Sequence, residues 1–273
     1  LPNNAAVDSD SIASTYWAWL HSPSWKASNA FDAFNFIHTP VFHHLWFLWF
    51  LCWFVVAFIF YGKVAESLKL KQFPNWLVVS PLRYLLLIPL TMFAQQFMMM
   101  PVFGPDTSAG LIPFPHMLLY YGIFFFFGAI YFDVKDDTGK ISMLWPIELV
   151  IGIVLYFCGV EAATGDFRTF ESFVSPEYYG ILNNFIQVSY AWVMTFGFMG
   201  LFRVLFSGES KVMRYISDSS YWLYLMHLPL ILFFQHSIRE VDLPATIKLI
   251  IACTVTSGLL LLTYEYSVRY TPI

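Results

Sequence analysis

Residues 216–232 read ISDSSYWLYLMHLPLIL, and this stretch decides how the chain folds. It is apolar enough to lie in a membrane, yet polar side chains recur at i, i+3, i+4, i+7 and i+10, the spacing of one helix face. These side chains belong to Ser217, Ser220, Tyr221, Tyr224 and His227. Polar groups at membrane depth are costly in lipid and usually face protein or water. The pattern therefore predicts a membrane helix whose polar face either lines a substrate site or only hydrogen-bonds to neighbouring helices.

The composition of the whole chain is that of a membrane protein. Of its 273 residues, 58% are hydrophobic and 12% are charged, whereas about a quarter of the residues in soluble globular proteins are charged. The formal net charge of −4 argues against a nucleic-acid partner. The three cysteines lie in apolar runs without the spacing of a disulfide framework or a zinc site. His43 and His44 are adjacent and point about 100° apart on a helix, so we predict no metal site there.

Seven apolar segments have the length, about 20 residues, that crosses a hydrocarbon core of about 30 Å. We predict crossings at Phe42–Gly62, Leu77–Met100, Phe114–Phe132, Met143–Cys158, Ile181–Phe206, Asp218–His236 and Pro244–Glu265. The expected fold class is all-α, a polytopic bundle of membrane helices. Residues 1–41 are polar with scattered tryptophans, which predicts an extracytoplasmic loop with interfacial segments before a transmembrane domain at 42–273.

The distribution of Lys and Arg predicts the orientation of these crossings. Ten of the 14 basic residues fall on one side of the membrane and four on the other. This asymmetry places the C-terminus in the cytoplasm and residues 1–41 outside. Because no signal peptide precedes Leu1, an outside N-terminus predicts an odd number of further crossings upstream. We therefore expect the chain to be the C-terminal part of a longer membrane protein.

A few other polar residues lie inside predicted crossings. We expect Glu148 to have a structural role, in which it either has a basic or hydroxyl partner or reaches to the membrane interface, because an unpaired acid is costly there. Gln95 and Gln96 either line a polar cavity or hydrogen-bond across helices. Among the histidines only His227 is deep, near the midplane of its crossing, whereas His44 lies near the outer end of the first crossing on a face that should turn inward. Familiar nucleotide, hydrolase and zinc-protease motifs are missing from the sequence.

Three short motifs follow one another along the chain. Residues 44–48 read HLWFL, residues 221–229 read YWLYLMHLP, and the last crossing ends in Tyr264 and Glu265 followed by Arg269. Together they resemble the acyltransferase-3 family of integral-membrane acyltransferases, in particular the branch related to glucan-biosynthesis protein C. The first motif resembles the start of a family helix, the second is similar to the family's YWxYxxHxP helix, and the third resembles its basic exit from the last crossing.

The resemblance implies about ten crossings with both termini in the cytoplasm, of which seven would be present here. It also implies an O-acyltransferase of the bacterial inner membrane. Such an enzyme moves an acetyl- or succinyl-class group from acyl-CoA, a co-substrate, to a hydroxyl of an extracytoplasmic glycan or related acceptor. Its expected partners are membrane lipid, acyl-CoA and the glycan, with no bound cofactor and no nucleic acid. The family's pair of a basic residue and a catalytic histidine on its first helix has no counterpart here, so we expect that histidine upstream and this piece alone to be inactive.

The resemblance also implies site residues. His227 is the candidate catalytic residue within this chain, and His44, Trp46, Tyr221 and Tyr224 are candidate substrate-binding residues. Imidazole titrates near neutral pH and suits a general base, while phenols and an indole can hold a sugar or polarise a carbonyl. We expect these residues to share one cavity. A transporter or flippase with a proton-relay histidine is the main alternative, and a seven-helix receptor or sensor is a third.

Overall fold

The computed structural model describes residues 41–69, 74–98, 103–134, 136, 139–165, 167–208 and 210–271. The α-helices in this part are α1 (Trp46–Ser67), α2 (Asn75–Val79), α3 (Arg83–Gln95), α4 (Pro115–Val134), α5 (Trp145–Ala163), α6 (Tyr179–Phe206), α7 (Lys211–Ser237) and α8 (Ala245–Thr263). Short 3-10 turns, His43–Leu45, Lys140–Ser142 and Pro176–Tyr178, precede α1, α5 and α6, and a π-helical turn, Tyr264–Val268, follows α8. The described residues contain no strand, which confirms the all-α class. The predicted loop at 1–41 lies almost wholly outside them and stays a prediction.

Five segments of the described chain are long and apolar enough to cross a membrane. They are His43–Ser67, Pro115–Val134, Trp145–Ala163, Pro176–Phe206 and Ala245–Val268. These five candidate membrane-spanning helices coincide with the first, third, fourth, fifth and seventh of the predicted positions. The predicted count of seven is not confirmed, because the second and sixth predicted crossings are not among these five segments.

The second predicted crossing, Leu77–Met100, is not a single helix. α2 has five residues and ends at Val79, and the next residue, Ser80, is extended with φ of −85° and ψ of 159°. Pro81 explains this break, because proline disfavours the helical conformation of the residue before it. The 13 residues of α3 extend for about 20 Å at 1.5 Å per residue. That is shorter than the hydrocarbon core of about 30 Å.

The sixth predicted crossing lies within α7, which is long enough to span a membrane but less apolar than the five segments above. α7 has 27 residues and contains Pro229 without interruption. Its first half carries Lys211, Arg214 and Asp218 together with several hydroxyl groups. The polar residues that make α7 interesting for chemistry are therefore the same ones that lower its hydropathy.

The chain divides into two compact units, and each is described by itself. The first contains the described residues within 1–73, 85–133 and 159–188, and the second those within 74–84, 134–158 and 189–273. In the first unit α1 packs against α4 through Phe50, Phe54 and Met117, which are all buried. A Cβ on Gly122 of α4 would lie 3.4 Å from the Phe54 ring, so α4 packs directly against this ring. Aromatic packing of this kind explains why α1 and α4 hold so many Phe residues.

In the second unit glycines allow α5 and α6 to approach closely. A Cβ on Gly197 would lie 2.9 Å from the Leu149 side chain. A Cβ on Gly200 would lie 2.3 Å from the Trp145 Cβ and 2.6 Å from the backbone oxygen of Ser142. Small residues are typical of helix contacts in membranes, where close packing has to replace the hydrophobic effect. Glycine is thus required at position 200 because a larger residue would not fit there, and not because of its backbone conformation.

We expect Gly200→Ala to destabilise the protein by about 1–3 kcal/mol, because the added methyl group forces α5 and α6 apart. Gly128→Ala in α4 is the matched control, since a Cβ there meets nothing within 4 Å. Alanine also favours a helix more than glycine does, so the control should keep or raise the stability. Thermal unfolding of the two variants in the same detergent checks this, and equal melting temperatures would contradict the packing argument.

Candidate functional site

The polar stripe of α7 (Ser217, Ser220, Tyr221, Tyr224 and His227) lies on one uninterrupted helix, as the spacing predicts. Tyr221 is 60% exposed, whereas Tyr224 and His227 are half-buried. The Ser220 hydroxyl donates to the backbone oxygen of Ser217 at 2.6 Å, one turn earlier on the same helix. The Ser220 hydroxyl is therefore hydrogen-bonded to its own helix. The two tyrosines and the histidine are the side chains of the stripe that could bind or react with a substrate.

The stripe is not the face by which α7 packs on α8. Ser219 is 1% exposed, and the indole nitrogen of Trp222 donates to the Thr263 hydroxyl at 3.1 Å. At about 100° per residue, Tyr224 points roughly 140° away from Ser219 and roughly 160° away from Trp222. The helix pair is thus held together by one face of α7, and the polar stripe lies on another.

The hydrogen bonds of His227 indicate which of its ring nitrogens carries the proton. Its Nδ1 lies 2.8 Å from the backbone oxygen of Tyr224 and 3.2 Å from that of Leu223. A carbonyl oxygen can only accept, so Nδ1 donates, and in the neutral ring the lone pair is then on Nε2. The Tyr224 ring centroid lies 6.0 Å from that of His227. The helix backbone therefore orients an imidazole base next to a phenol.

His44 and Trp46 lie at the start of α1, in the first unit. His44 belongs to the 3-10 turn before the helix and is half-buried. The Trp46 ring lies 5.4 Å from Phe50 and 5.1 Å from Tyr121, centroid to centroid, so it extends the aromatic packing between α1 and α4. Because the stripe belongs to the second unit, the cavity predicted to join these residues to His227 stays a prediction.

The second unit contains a buried ion pair, of which the sequence predicted the acid but not its basic partner. Arg83 Nη2 lies 3.2 Å from Glu148 Oε1, and the two side chains are 4% and 6% exposed. The Tyr84 hydroxyl donates to the same carboxylate oxygen at 2.7 Å. The expectation of a basic or hydroxyl partner for Glu148 is confirmed, since it has both. Sequence reasoning missed Arg83 as that partner because it lies 65 positions away on another helix.

Arg83 joins several elements of the second unit at once. Its guanidinium donates to the backbone oxygens of Val79 at 3.0 Å and Ile141 at 2.6 Å. It also lies 4.1 Å from the centroid of the Phe196 ring, the position of a cation–π contact. The first turn of α3 is thereby tied to α2, to the 3-10 turn before α5 and to α6. With its charge balanced by Glu148 and both of its terminal nitrogens engaged in hydrogen bonds, Arg83 is suited to holding the unit together.

The end of the last crossing forms a second charged cluster. Arg269 Nη1 lies 2.7 Å and 2.8 Å from the two carboxylate oxygens of Glu265, and the Tyr270 hydroxyl donates to one of them at 3.2 Å. The hydrogen bond from Arg269 to Glu265, together with the negative charge of Glu265, raises the pKa of the Arg269 guanidinium. The guanidinium also lies 5.4 Å from the Tyr215 ring centroid, so it links the end of α8 to α7. Glu265 belongs to a π-helical turn, a rare conformation that often marks a functional region.

In the part of the chain that the structure describes, no group of three or more His, Cys, Asp or Glu residues could hold a metal ion. A family model described as an acyltransferase domain matches residues 6–265. The chain belongs to the acyltransferase-3 family. Searches of curated proteins and of solved structures found no match. Together with its membrane-spanning helices, the family makes this protein a membrane acyltransferase, as the three motifs predict.

Proposed function

We propose that this acyltransferase moves an acetyl- or succinyl-class group from acyl-CoA to a hydroxyl of an extracytoplasmic glycan or related acceptor. The family match is the observation that carries this proposal, and the polar stripe of α7 supports it. A stripe that combines an oriented imidazole with phenols suits O-acyl transfer, which needs a base and several hydrogen-bond donors. The three motifs favour the branch related to glucan-biosynthesis protein C. By resemblance to that branch, we propose that the intact protein is longer and has about ten crossings. Its main catalytic histidine would then lie upstream of Leu1.

The transfer requires few chemical steps. A base removes the proton of the acceptor hydroxyl, the oxygen attacks the thioester carbonyl, and the carbon–sulfur bond breaks. The products are an ester on the acceptor and a CoA thiolate, which takes up the proton. We assign His227 Nε2 to this proton transfer in the part of the site that the chain contributes. Tyr221, Tyr224, His44 and Trp46 are assigned to holding the substrates through hydrogen bonds and stacking.

The proposed chemistry requires a defined topology. Cytoplasmic acyl-CoA and an extracytoplasmic acceptor can meet only in a protein that crosses the membrane. We propose seven crossings in this chain, with α7 and the α2–α3 segment added to the five apolar ones. The uneven distribution of Lys and Arg supports a cytoplasmic C-terminus, and the three motifs support the inner membrane of a bacterium.

Cysteine labelling of intact cells tests this topology. In a background in which Cys52, Cys158 and Cys253 are replaced by alanine, we expect Glu177→Cys, before α6, to react with a membrane-impermeant maleimide. Lys63→Cys, near the end of α1, should react only after the cells are opened. Labelling of Lys63→Cys in intact cells would contradict the orientation.

The function itself is tested with the intact protein in detergent, radiolabelled acetyl-CoA or succinyl-CoA, and a glucan acceptor. We expect the label to move into an alkali-labile ester on the glucan, with release of one CoA thiol for each ester formed. Release of CoA without an ester would indicate hydrolysis and overturn the proposal. Uptake of an unmodified solute into vesicles, without consumption of acyl-CoA, would favour the transporter alternative.

A further inference from the structure

Buried carboxamides meet in the first unit, where the end of α3 approaches the start of α6. Gln95, the last residue of α3, is 4% exposed and Gln187 of α6 is 7% exposed. Gln95 Nε2 lies 3.3 Å from Gln187 Oε1, and Gln187 Nε2 lies 3.0 Å from Asn183 Oδ1. Of the two roles open to Gln95 from its sequence position, hydrogen bonding across helices is therefore observed. That bond occupies only one end of its carboxamide.

The orientation of the Gln95 side chain follows from its partners. The backbone N–H of Gly104 lies 2.9 Å from a side-chain atom of Gln187, and an N–H can only donate, so that atom is the oxygen. The same Gln187 oxygen is the partner of Gln95, which must therefore present its own nitrogen. The remaining atom, Gln95 Oε1, is buried and accepts no hydrogen bond from the residues that the structure describes. Buried carbonyl oxygens are rarely left in this state, and one that is needs an explanation.

The segment next to this oxygen is fixed in place by hydrogen bonds to helices. Besides Gly104, the backbone oxygen of Asp106 accepts from the Tyr121 hydroxyl at 3.0 Å. The oxygen of Leu111 accepts from the Trp49 indole at 2.8 Å. Ligand-binding groups are most effective when they are held in position before the ligand arrives. The segment 103–111 meets that condition.

The charges here favour a neutral partner that donates a hydrogen bond. Gln95, Gln187 and Asn183 are uncharged, and the contacts described above include an acid, Asp106, which is 7% exposed, but no Lys or Arg. The phosphates of acyl-CoA carry negative charge and need cationic or donor-rich partners, which these carboxamides do not supply. A carbonyl oxygen cannot donate to an acceptor, so the group that it takes must carry its own proton. A sugar hydroxyl has this chemistry.

We propose that Gln95 Oε1 accepts a hydrogen bond from a hydroxyl of the glycan acceptor, one not being acylated, and so makes Gln95 a specificity-determining residue. The inference rests on the proposed function, from which it takes the hydroxyl acceptor. A site built to hydrogen-bond a hydroxyl discriminates strongly against the analogue that lacks it, because its own polar group is then left unpaired. Gln95 contributes to selection of the acceptor, and the proton transfer belongs to other residues.

The test uses the intact protein in lipid nanodiscs, acetyl-CoA, and methyl β-glucoside with its four monodeoxy analogues as acceptors. We expect the natural protein to disfavour one deoxy analogue by about tenfold or more in kcat/KM. Gln95→Met, which keeps the length of the side chain but removes the carboxamide, should lose activity toward the parent glycoside and none toward that analogue. The matched control is Gln96→Met, since the neighbouring Gln96 is exposed.

A parallel binding measurement separates failure of this inference from failure of the proposed function. Saturation-transfer NMR detects methyl β-glucoside on the protein without any acyl donor. If Gln95→Met transferred the acyl group and disfavoured the deoxy analogue as strongly as the natural protein does, the inference would be overturned and the proposed function would stand. This result is expected if a trapped water donates the hydrogen bond to Gln95 Oε1. Glycoside binding that depends on Gln95, without any transfer, would overturn the function and leave the hydroxyl site standing. Neither binding nor transfer would overturn both.

Discussion

Replacing Glu148 with leucine should destabilise the protein by about 3–5 kcal/mol, because Arg83 then keeps a buried charge without a carboxylate beside it. Both side chains are almost fully buried, and the Tyr84 hydroxyl loses its acceptor in the same variant. Thermal unfolding in detergent measures the effect. This is among the largest single-residue effects that we expect in the described part of the chain.

Two further variants show whether the charge is responsible. Changing both partners, Arg83→Met with Glu148→Leu, should recover a large part of the lost stability, since no unpaired charge remains. Asp218→Ala breaks the Arg214–Asp218 pair, whose atoms are 3.9 Å apart on exposed side chains, and should change the stability little. A double variant as unstable as Glu148→Leu alone would show that packing, and not charge, holds this region.

The second large effect concerns activity. His227→Ala in the intact protein should lower kcat by about 10²–10⁴-fold, the usual contribution of a positioned acid–base group. Its melting temperature should change little, because the histidine is only half-buried and bonds within its own helix. The KM for acyl-CoA should stay nearly constant, since the imidazole is assigned to proton transfer and not to binding.

The matched control for that variant is His236→Ala, which removes an exposed histidine from the same helix. It should keep full activity. If His227→Ala also kept full activity, the assignment of the stripe as part of the active site would be wrong, although the fold and the family would stand. A large loss of stability in His227→Ala would instead indicate a structural histidine.

Several elements of the fold could be predicted from the sequence because a single helix is a local structure. α4, α5, α6 and α8 begin and end within a few residues of the predicted bounds, since their limits follow from apolar runs and loop residues. Pro81 signals the break in the second segment, but the prediction of that crossing used only length and hydropathy. The sequence showed that Glu148 needs a partner, but which residue meets it depends on how α3 and α5 pack.

The candidate site shows the same division. The spacing of Tyr221, Tyr224 and His227 put them on one face without any structure, and the helix has that face. The tautomer of His227 could not be predicted, because it depends on the distance to the Tyr224 carbonyl. The carboxamide contact between Gln95 and Gln187 joins residues 92 positions apart, and no local pattern indicates it.

The most direct test of the proposed function uses inside-out membrane vesicles that contain the intact protein. Labelled acyl-CoA is added to the medium, which faces the cytoplasmic side, and a glucan acceptor is enclosed in the lumen. We expect labelled ester on the enclosed glucan, and formation of this ester at least about 100-fold slower with His227→Ala. Ester formation only when donor and acceptor share one side, or none under either arrangement, would contradict transfer across the membrane.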